Sequence, residues 1–334
     1  ETKKFLLNYP ELGLPDKIEL IQNMIPKIDA ESYEAVSCDH SPELEWCPPG
    51  HGDIYAALLG TGMLDTLVDS GVKYAFISNS DNLGATLDFK LLNEFLNSDS
   101  SFMMEVTRRT DVDKKGGHLA KDSRNGNFLL REVAQCPEED FNEFQNVNKH
   151  RYFNTNNIWI RLDRLRSLMR SSDNNLNLPL IINRKNLNPS DPQSSKVIQI
   201  EVAMGAAIQC FEDSTVIEVP RSRFSPVKSC EDLLALRSDA YQVSDDFEIQ
   251  LCDSRGGIPP EVGLSDQIYK NYKTFEEMTP YGPPSLKKCK SIQVEGPVKF
   301  GKEISFQGTI TITNDSKLVK EISSGKYIEN NIVL

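Results

Sequence analysis

The sequence predicts an α/β protein with a mixed or mainly parallel sheet, followed by a C-terminal region of short stacked strands. Short apolar runs alternate with amphipathic segments up to about Ala240, which is the pattern of strands alternating with helices. Beyond Tyr281, apolar and polar residues alternate and glycines recur at short intervals. This second pattern favours the stacked strands of a β-solenoid over an ordinary antiparallel hairpin. We therefore expect two domains, residues 1–245 and, with a linker, residues 246–334.

The N-terminal elements follow from periodicity and from residues that break it. Helical spacing predicts helices, Pro26 ends the first of them, and short apolar runs predict buried strands. In chain order, the predictions are a helix at 14–24, a helix at 54–68 interrupted near two glycines, a strand at 74–78, a polar loop at 79–84, a helix at 85–96 and a strand at 102–107. A strand, a polar loop and a helix in that order suggest an α/β unit with a ligand crevice at the carboxyl end of its strand.

The following segments continue the alternation. Asn125-Gly126 is a strong hairpin signal between two apolar runs, residues 119–120 and 128–133. The remaining predictions are a short helix at 138–144, a strand at 158–160, a helix at 162–169, a long apolar helix at 197–211, a strand at 215–219 and a helix from about 231. These segments complete the predicted α/β domain.

Composition and charge restrict the classes of partner. The 334 residues carry a formal net charge of −12 at pH 7, with 39% hydrophobic and 26% charged residues, as in ordinary globular proteins. An acidic balance disfavours general binding to nucleic acid or anionic membranes. No apolar run is long enough to cross a bilayer. We therefore expect neither nucleic-acid nor membrane partners.

The cysteines and histidines form no metal-binding pattern. Seven cysteines are scattered without C-x-x-C spacing, and the four histidines form no H-x-x-x-H or H-E-x-x-H array. A zinc site and a disulfide framework are both disfavoured. Reduced thiols in the cytoplasm are the expectation.

Two polar loops carry candidate ligand-binding residues. In the Pro-Pro-Gly-His-Gly-Asp loop at residues 48–53, glycines allow close approach to a ligand, and His51 offers a hydrogen bond to a phosphate or sugar oxygen. The alternative is a structural turn. Asp81 follows an apolar strand, where nucleotide enzymes hold Mg²⁺. The competing role is a helix N-cap at Asp81 or Asn82.

Three further segments have polar or charged character. Residues 221–228 carry three cations after a strand, and Lys228 suits a phosphate, with a solvated loop as the alternative. The amide run at 153–157 suits recognition of sugar hydroxyls or an ordinary turn. Glu132 is predicted on a strand, either as a buried acid that contacts a hydroxyl or as an edge charge. The basic stretch at 108–121 is interpreted as a mobile surface loop.

Motifs of several other enzyme classes are absent. The sequence contains no G-x-S-x-G, no G-x-G-x-x-G and no Walker A run. Hydrolase, dehydrogenase and P-loop NTPase interpretations lose support accordingly.

Together these segments resemble the UDP-glucose pyrophosphorylases, the UTP–glucose-1-phosphate uridylyltransferase family. The matching motifs occur in the family's order, over nearly the whole chain, at residues 47–53, 77–85, 131–137, 153–157 and 220–228. The resemblance implies a nucleotidyltransferase-type, Rossmann-like α/β fold with a mixed sheet and a C-terminal left-handed parallel β-helix. It also implies Mg²⁺ as the cofactor and UTP and glucose 1-phosphate as small-molecule substrates.

The resemblance also implies roles for individual residues. Asp81 would hold Mg²⁺ near the ribose and α-phosphate, and Lys228 would be the main cationic stabiliser on the phosphates, so these two are the catalytic residues. The implied substrate-binding residues are Gly50 and His51 at the phosphates, Asn79, Ser80, Asp81 and Asn82 after the first strand, Gly117, Glu132, Asn154 and Asn156 around the hexose, and Lys228.

The implied reaction joins UTP and glucose 1-phosphate into UDP-glucose and pyrophosphate, reversibly. The alternatives are a pyrophosphorylase for another UDP-sugar, such as UDP-N-acetylhexosamine, and a non-catalytic sugar-nucleotide-binding protein. The family's N-terminal Gly-rich loop and lysine have no counterpart between Glu1 and Trp46, so we expect a longer natural protein. The β-rich tail suits either a homo-oligomer formed through an exposed strand edge or a monomer.

Overall fold

The computed structural model describes residues 2–13, 19–109, 117–191 and 193–334. The chain divides into two compact units. The first unit comprises Glu1–Ile77 and Phe89–Glu218, and the second unit comprises Ser78–Asp88 and Val219–Leu334. The predicted domain boundary near residue 245 stays a prediction.

The first unit contains helices and strands in alternation. Its helices are α1 Thr2–Leu6, α2 Ile54–Gly60, α3 Met63–Asp69, α4 Phe89–Ser98, α5 Phe141–Phe144 and α6 Leu162–Ser171. Its strands are β1 Ile25–Pro26, β2 Ile28–Asp29, β3 Trp46–Cys47, β4 Tyr74–Ile77, β5 Phe102–Arg108, β6 His118–Lys121, β7 Phe128–Arg131, β8 Tyr152–Arg161, β9 Leu180–Asn186, β10 Lys196–Val202 and β11 Thr215–Glu218.

The main sheet of the first unit is mixed, as predicted. Its order is β11-β5-β8-β6-β7, and β4 also pairs with β8. The β11–β5 pair is parallel, whereas β5, β6 and β4 all run antiparallel to β8. The predicted hairpin is confirmed, since β6 and β7 pair antiparallel around residues 122–127.

Side chains of the central strands alternate between two apolar clusters. Phe102 and Met104 of β5 belong to a large cluster with residues of α2, α3 and α6, whereas Met103 packs with Trp159 and Phe95 in a second cluster. Because successive residues of a strand point to opposite faces, both faces of this sheet are covered. This explains why three consecutive residues of β5, Phe102–Met104, are apolar instead of alternating with polar ones.

Several predicted elements are wrong in kind or position. Residues 197–211 are not one helix: they form most of β10, followed by the 3₁₀ helix Met204–Cys210. Periodicity alone does not distinguish a strand from a buried helix in a short apolar segment. The antiparallel pairing of β10 with β9 shows that the first part of this segment is a strand. The residues at 153–157 lie within β8, so the interpretation as an ordinary turn is also wrong.

The predicted N-terminal helices fit less well than those of the middle of the chain. Of the helix expected at 14–24, residues 14–18 lie outside the described part, and the remainder is not helical. The helix expected from residue 85 begins only at Phe89, so neither Asp81 nor Asn82 is its N-cap. Strand β4 is confirmed, but it is half-buried rather than buried, and it runs antiparallel to β8.

The second unit contains three helices within the described ranges and a stack of parallel strands. The helices are α7 Cys230–Arg237, α8 Asp266–Tyr269 and α9 Tyr272–Met278. The strands are β12 Tyr241–Val243, β13 Ile249–Leu251, β14 Glu261–Leu264, β15 Ser285–Glu295, β16 Val298–Phe300, β17 Ile304–Thr313, β18 Lys320–Ile322 and β19 Gly325–Val333.

Strands of the C-terminal stack pair only in parallel among the described residues. One sheet has the order β14-β15-β17-β19, and β16 pairs with β18 in a second, two-stranded sheet. The chain thus alternates between the two sheets from β15 to β19, and equivalent apolar residues such as Ile292 and Ile310 lie side by side. The antiparallel hairpin, our alternative for this region, is therefore wrong.

No helix within the described ranges is both long and apolar enough to cross a bilayer. All seven cysteines lie in the described ranges and are free thiols.

Candidate functional site

The Pro-Pro-Gly-His-Gly loop of the first unit packs against the end of β10. Gly50 has a φ of 85°, and a Cβ there would lie 2.6 Å from the carbonyl oxygen of Val202. A larger residue is therefore excluded by both conformation and space. The exposed ring of His51 accepts a hydrogen bond at Nδ1 from the amide of Met204, at 2.9 Å. That bond leaves the proton of the neutral imidazole on Nε2.

Two residues near this loop were not identified from the sequence. The Gln22 side chain donates to the carbonyl oxygen of Gly50 at 2.7 Å. Asn23 donates to the carboxylate of Asp53 through its main-chain amide at 2.8 Å and through its side chain at 2.9 Å. A Gln-Asn pair is common in turns, so only the tertiary contacts distinguish these residues.

Gly117 and Glu132 lie against each other at the open end of the β6–β7 hairpin, where they flank the pair His118 and Arg131. A Cβ at Gly117 would lie 2.6 Å from the Glu132 carboxylate, so the glycine leaves room for that group. Glu132 does not lie on the strand as expected: β7 ends at Arg131, and Glu132 precedes the 3₁₀ helix Val133–Gln135. Burial raises the pKa of Glu132 to about 7.

Asn154 and Asn156 form two hydrogen bonds with each other. The side-chain amide of Asn154 donates to Asn156 Oδ1 at 2.8 Å, and Asn154 Oδ1 accepts from the main-chain N–H of Asn156 at 2.9 Å. Asn156 has a φ of 58°, in the left-handed region that asparagine tolerates better than most residues. Asn154 is buried and Asn156 is half-buried.

The 3₁₀ helix Met204–Cys210 connects these parts of the first unit. Its first residue bonds His51, and a Cβ at Gly205 would lie 2.6 Å from Asn154 Nδ2 and 3.1 Å from a methyl group of Leu130. Because Leu130 lies on β7, just before Glu132, one backbone segment contacts three regions that carry predicted site residues. These close approaches explain why glycine occupies position 205.

A buried cluster centred on His118 was not expected from the sequence. The fully buried His118 ring stacks on His150 with centroids 4.1 Å apart, and Arg109 approaches its Nδ1 at 3.3 Å. Burial, followed by the charges of His150, Arg109 and Arg131, lowers the pKa of His118 to about 3. The basic stretch at 108–121 was interpreted as a surface loop, which is wrong for buried Arg109, while residues 110–116 lie outside the described part.

In the second unit, Asp81 and Lys228 lie on two adjacent chain segments. The amide of Val227 donates to the carbonyl oxygen of Asp81 at 2.9 Å, and Asn82 forms an antiparallel bridge with Pro226. The segments of Asp81 and Lys228, which are far apart in the sequence, are therefore neighbours in space. This proximity could not be predicted from their spacing in the sequence.

Asn82 and Gly84 hold this junction together. The Asn82 side chain donates to the carbonyl oxygen of Arg223 at 3.0 Å and accepts from the amides of Gly84 and Ser225 at 3.2 and 2.8 Å. A Cβ at Gly84 would lie 2.2 Å from the carbonyl oxygen of Ser222, so no larger residue fits. Asn82 thus has a structural role. The neighbouring Asn79 is half-buried and Ser80 is exposed.

Lys228 is exposed and lies immediately before helix α7. Its amide donates to the Asp232 carboxylate at 2.9 Å, and Ser229 forms a capping box with the same aspartate. These bonds hold the backbone of Lys228 at the start of α7.

The described residues contain no group of three or more His, Cys, Asp or Glu side chains arranged to hold a metal ion. Asp81 Oδ1 is nevertheless buried and has no hydrogen-bond partner within the described ranges. A cavity of about 1020 Å³ in the second unit is bordered by Gly84, Pro226 and Asp232, among others, but not by Asp81 or Lys228.

The mixed sheet and the parallel strand stack define the class of this protein: an α/β protein with a β-rich C-terminal part. A family model described as UTP–glucose-1-phosphate uridylyltransferase matches residues 1–307. The chain therefore belongs to the UTP–glucose-1-phosphate uridylyltransferase family.

Relatives of the chain carry the same name. It is 37% identical to the enzymes of Musa acuminata and Saccharomyces cerevisiae, over 93% of its own length and 65% and 61% of theirs. The chain thus spans less than two thirds of these relatives.

Solved structures agree with that assignment. The chain is similar to a UDP-glucose phosphorylase of Trypanosoma brucei, with a TM-score of 0.90 and 48% identity. The match covers the whole of this chain and 72% of the Trypanosoma brucei chain. A Leishmania major UDP-glucose pyrophosphorylase variant in complex with UDP-glucose has a TM-score of 0.89 and 46% identity, over the whole of this chain and 73% of that one.

Proposed function

We propose that the protein carrying this chain is a uridylyltransferase that forms UDP-glucose and pyrophosphate from UTP and glucose 1-phosphate, reversibly. Family membership supports the reaction class. The single contact that carries the proposal is the bond from the Val227 amide to the carbonyl oxygen of Asp81, which makes an acidic residue and Lys228 neighbours.

The proposed reaction needs no protein nucleophile. An oxygen of the sugar phosphate attacks the α-phosphorus of UTP in line with the departing pyrophosphate. The protein must align two polyanions and offset their repulsion. The Lys228 ammonium supplies positive charge where negative charge accumulates in the transition state.

We infer that Asp81 binds a divalent cation, Mg²⁺ by preference. Its buried Oδ1 lacks a hydrogen-bond partner within the described ranges, which suits an oxygen that is used by an ion. Mg²⁺ is usually held by one or two carboxylates together with phosphate oxygens and water, so a single acidic residue is sufficient. When bound, the cation neutralises phosphate charge.

In the first unit, we propose that Asn154, Asn156, Gly117 and Glu132 contact the hexose, and that Gly50 and His51 contact the phosphates. Amides donate and accept hydrogen bonds, as sugar hydroxyls require. A pKa of about 7 means that Glu132 is present in both the donating and the accepting form near neutral pH. In the second unit, Asn79 and Ser80 join Asp81 as proposed nucleotide contacts. We propose that Asn82 supports this site by holding the segment that carries them, since its buried side chain bonds Arg223 and Ser225.

We further propose that the parallel C-terminal strands form a left-handed β-helix beginning after a boundary near residue 245. Their alternation between two parallel sheets supports a solenoid. Assembly into a homo-oligomer through this region is proposed on the exposed edge of β19. The free thiols support a cytoplasmic setting.

The decisive experiment incubates the protein carrying this chain with UDP-glucose and pyrophosphate, with and without MgCl₂. UTP and glucose 1-phosphate should form only when pyrophosphate and the metal salt are both present. In the forward direction, glucose 1-phosphate should outcompete the galactose and N-acetylglucosamine 1-phosphates. A preference for another sugar would favour the alternative pyrophosphorylase. Binding of UDP-glucose without turnover would identify a non-catalytic protein and contradict the proposal.

A matched pair of variants tests the metal assignment. Asp81→Asn should raise the magnesium concentration needed for half-maximal rate, because one anionic ligand oxygen is lost. Asp245→Asn, at an exposed position of the same unit, should leave that concentration unchanged. An unaltered magnesium requirement in the Asp81 variant would remove Asp81 from the metal site.

A further inference from the structure

Strands β5 and β8 lose their regular register beside the proposed hexose contacts. Met104 pairs with Ile158 and Val106 pairs with Asn154, so the register shifts between them. On β5 only Glu105 lies between these pairs, whereas three residues of β8 do. The extra residues form a bulge, and bulges redirect side chains next to binding sites.

Glu105 bonds two residues of this bulge, Thr155 and Asn157, and also Trp159 just beyond it. Its carboxylate accepts from Trp159 Nε1 at 2.8 Å and from Asn157 Nδ2 at 3.0 Å. Its main-chain oxygen accepts from Thr155 Oγ1 at 2.7 Å. The same threonine oxygen accepts from the Asn157 amide at 3.2 Å. Glu105 is fully buried, so these bonds form without competition from water.

The residues before and after Thr155, Asn154 and Asn156, are proposed hexose contacts. Asn154 and Asn156 are bonded to each other, and Asn156 has a φ of 58°. A left-handed conformation in a non-glycine residue persists only where the surrounding structure holds it. Glu105 provides that restraint on both sides of Asn156: its carboxylate accepts from Asn157, and its main-chain oxygen accepts from Thr155. The carboxylate bonds are the stronger ones, because charge-assisted hydrogen bonds exceed neutral ones.

We propose that Glu105 is a positioning residue for sugar recognition: through Thr155, Asn157 and Trp159 it holds the β8 bulge that presents Asn154 and Asn156. This inference rests on the proposed function, since it assumes that those amides contact the hexose. Glu105 itself contacts no substrate in this scheme. Because the residues that it holds are the proposed hexose contacts, its effect is expected on binding of the sugar and not of the nucleotide.

The test compares the affinities for UDP-glucose and UDP by calorimetry, because their ratio isolates the hexose contribution. Glu105→Gln keeps the side-chain size but turns one acceptor into a donor that faces Trp159 or Asn157. UDP-glucose affinity should fall about tenfold, the scale of a lost hydrogen bond, with UDP affinity unchanged. Glu212→Gln, at an exposed position of the same unit, should change neither affinity.

A second variant separates positioning from folding. Trp159→Phe removes one donor but keeps an aromatic ring, and should lower UDP-glucose affinity about threefold without affecting UDP. If Glu105→Gln does not fold, this variant carries the test. In the double variant, Glu105→Gln with Trp159→Phe, the indole N–H that would face the Gln amide group is absent. The loss of UDP-glucose binding free energy should therefore be smaller than the sum of the two single losses.

The outcomes are distinct. A wild-type protein that binds UDP but gains nothing from the glucose moiety would contradict the proposed function and, with it, this role. A wild-type protein that favours UDP-glucose, combined with an unchanged ratio in folded Glu105→Gln and Trp159→Phe, would overturn the positioning role alone. Equal losses for both nucleotides would show a general structural effect and would also overturn it.

Discussion

Lys228 is an exposed cation whose backbone is held by hydrogen bonds at its own amide and at the preceding residue. Its own amide bonds Asp232, and the amide of the preceding Val227 bonds Asp81. Removing the ammonium group therefore changes charge without disturbing packing. We expect Lys228→Ala to lower turnover by about 10²-fold or more, as for other lost electrostatic stabilisers. Steady-state kinetics in the direction of UDP-glucose formation measures this loss.

The matched control is Lys270→Ala, at another exposed lysine of the second unit, which should retain normal turnover. Both variants should have the melting temperature of the wild type. Normal turnover in Lys228→Ala would remove this lysine from the proposed catalytic pair, whatever the family resemblance.

His118 couples the stability of the first unit to pH. Its folded pKa is about 3, below the ordinary value of 6.5, because burial and neighbouring positive charges disfavour the charged ring. Between these values the unfolded chain binds a proton that the folded protein does not. Stability is therefore complete above about pH 6.5 and declines as the pH falls towards 3.

We expect His118→Gln to flatten this dependence, because glutamine does not titrate. Denaturant unfolding at pH 5 and pH 8 measures it: the wild type should lose more stability at pH 5 than the variant does. His40→Gln, at an exposed histidine of the same unit, is the control and should follow the wild type. Parallel pH profiles for His118→Gln and the wild type would show that this ring does not determine the acid sensitivity.

Helix α7 begins with a capping box whose aspartate also bonds the main-chain amide of Lys228. Ser229 Oγ accepts from the Asp232 amide at 3.3 Å, while the Asp232 carboxylate accepts from the amides of Ser229 and Lys228 at 3.0 and 2.9 Å. Loss of a serine N-cap costs about 1 kcal/mol. We expect Ser229→Ala to destabilise the protein by that amount in urea unfolding, with a smaller loss of turnover than in Lys228→Ala.

An exposed serine on another helix tests whether the effect belongs to the cap. Ser167→Ala in α6 removes only a hydroxyl bonded within its own helix, and should change stability by a few tenths of a kcal/mol. If Ser229→Ala is equally mild, the serine cap contributes little to the stability of α7.

The parallel stack derives its stability from inward-facing apolar side chains. Phe306 of β17 is fully buried and packs against Phe300 at 6.4 Å and Tyr327 at 5.8 Å between ring centroids. Because interior contacts are close-packed, a cavity at this position cannot collapse fully. We expect Phe306→Ala to cost about 3–5 kcal/mol, measured by denaturant unfolding.

The control for the stack is Val333→Ala on β19. Its side chain is 78% exposed, so the substitution should change stability by less than about 0.5 kcal/mol. A small effect at both positions would contradict the description of the stack as a packed core.

Local chemistry predicted the parts of the site that depend on backbone shape. Gly50 was identified from its Gly-rich loop, whereas Gly117 was only implied by the family resemblance; each lies where a Cβ would meet another group. Asn82 was considered as a helix cap, yet its side chain bonds a distant segment through Arg223 and Ser225. Glu105 was not identified at all, because a lone glutamate within an apolar run has no local signature of its partners.

The alternation of strands, helices and polar loops in the middle of the chain and the change to a β-rich tail were determined by the sequence alone, since they depend on periodicity and on residues that act locally. Strand pairing decided that the sheet is mixed, which the sequence had left open. Tertiary structure decided the state of residues 197–211, where pairing with β9 overrides a pattern that fits a helix equally well. It also decided which residues meet. The contacts between Asp81 and Val227, and between Glu105 and Trp159, join distant segments, and such contacts arise only when the chain folds as a whole.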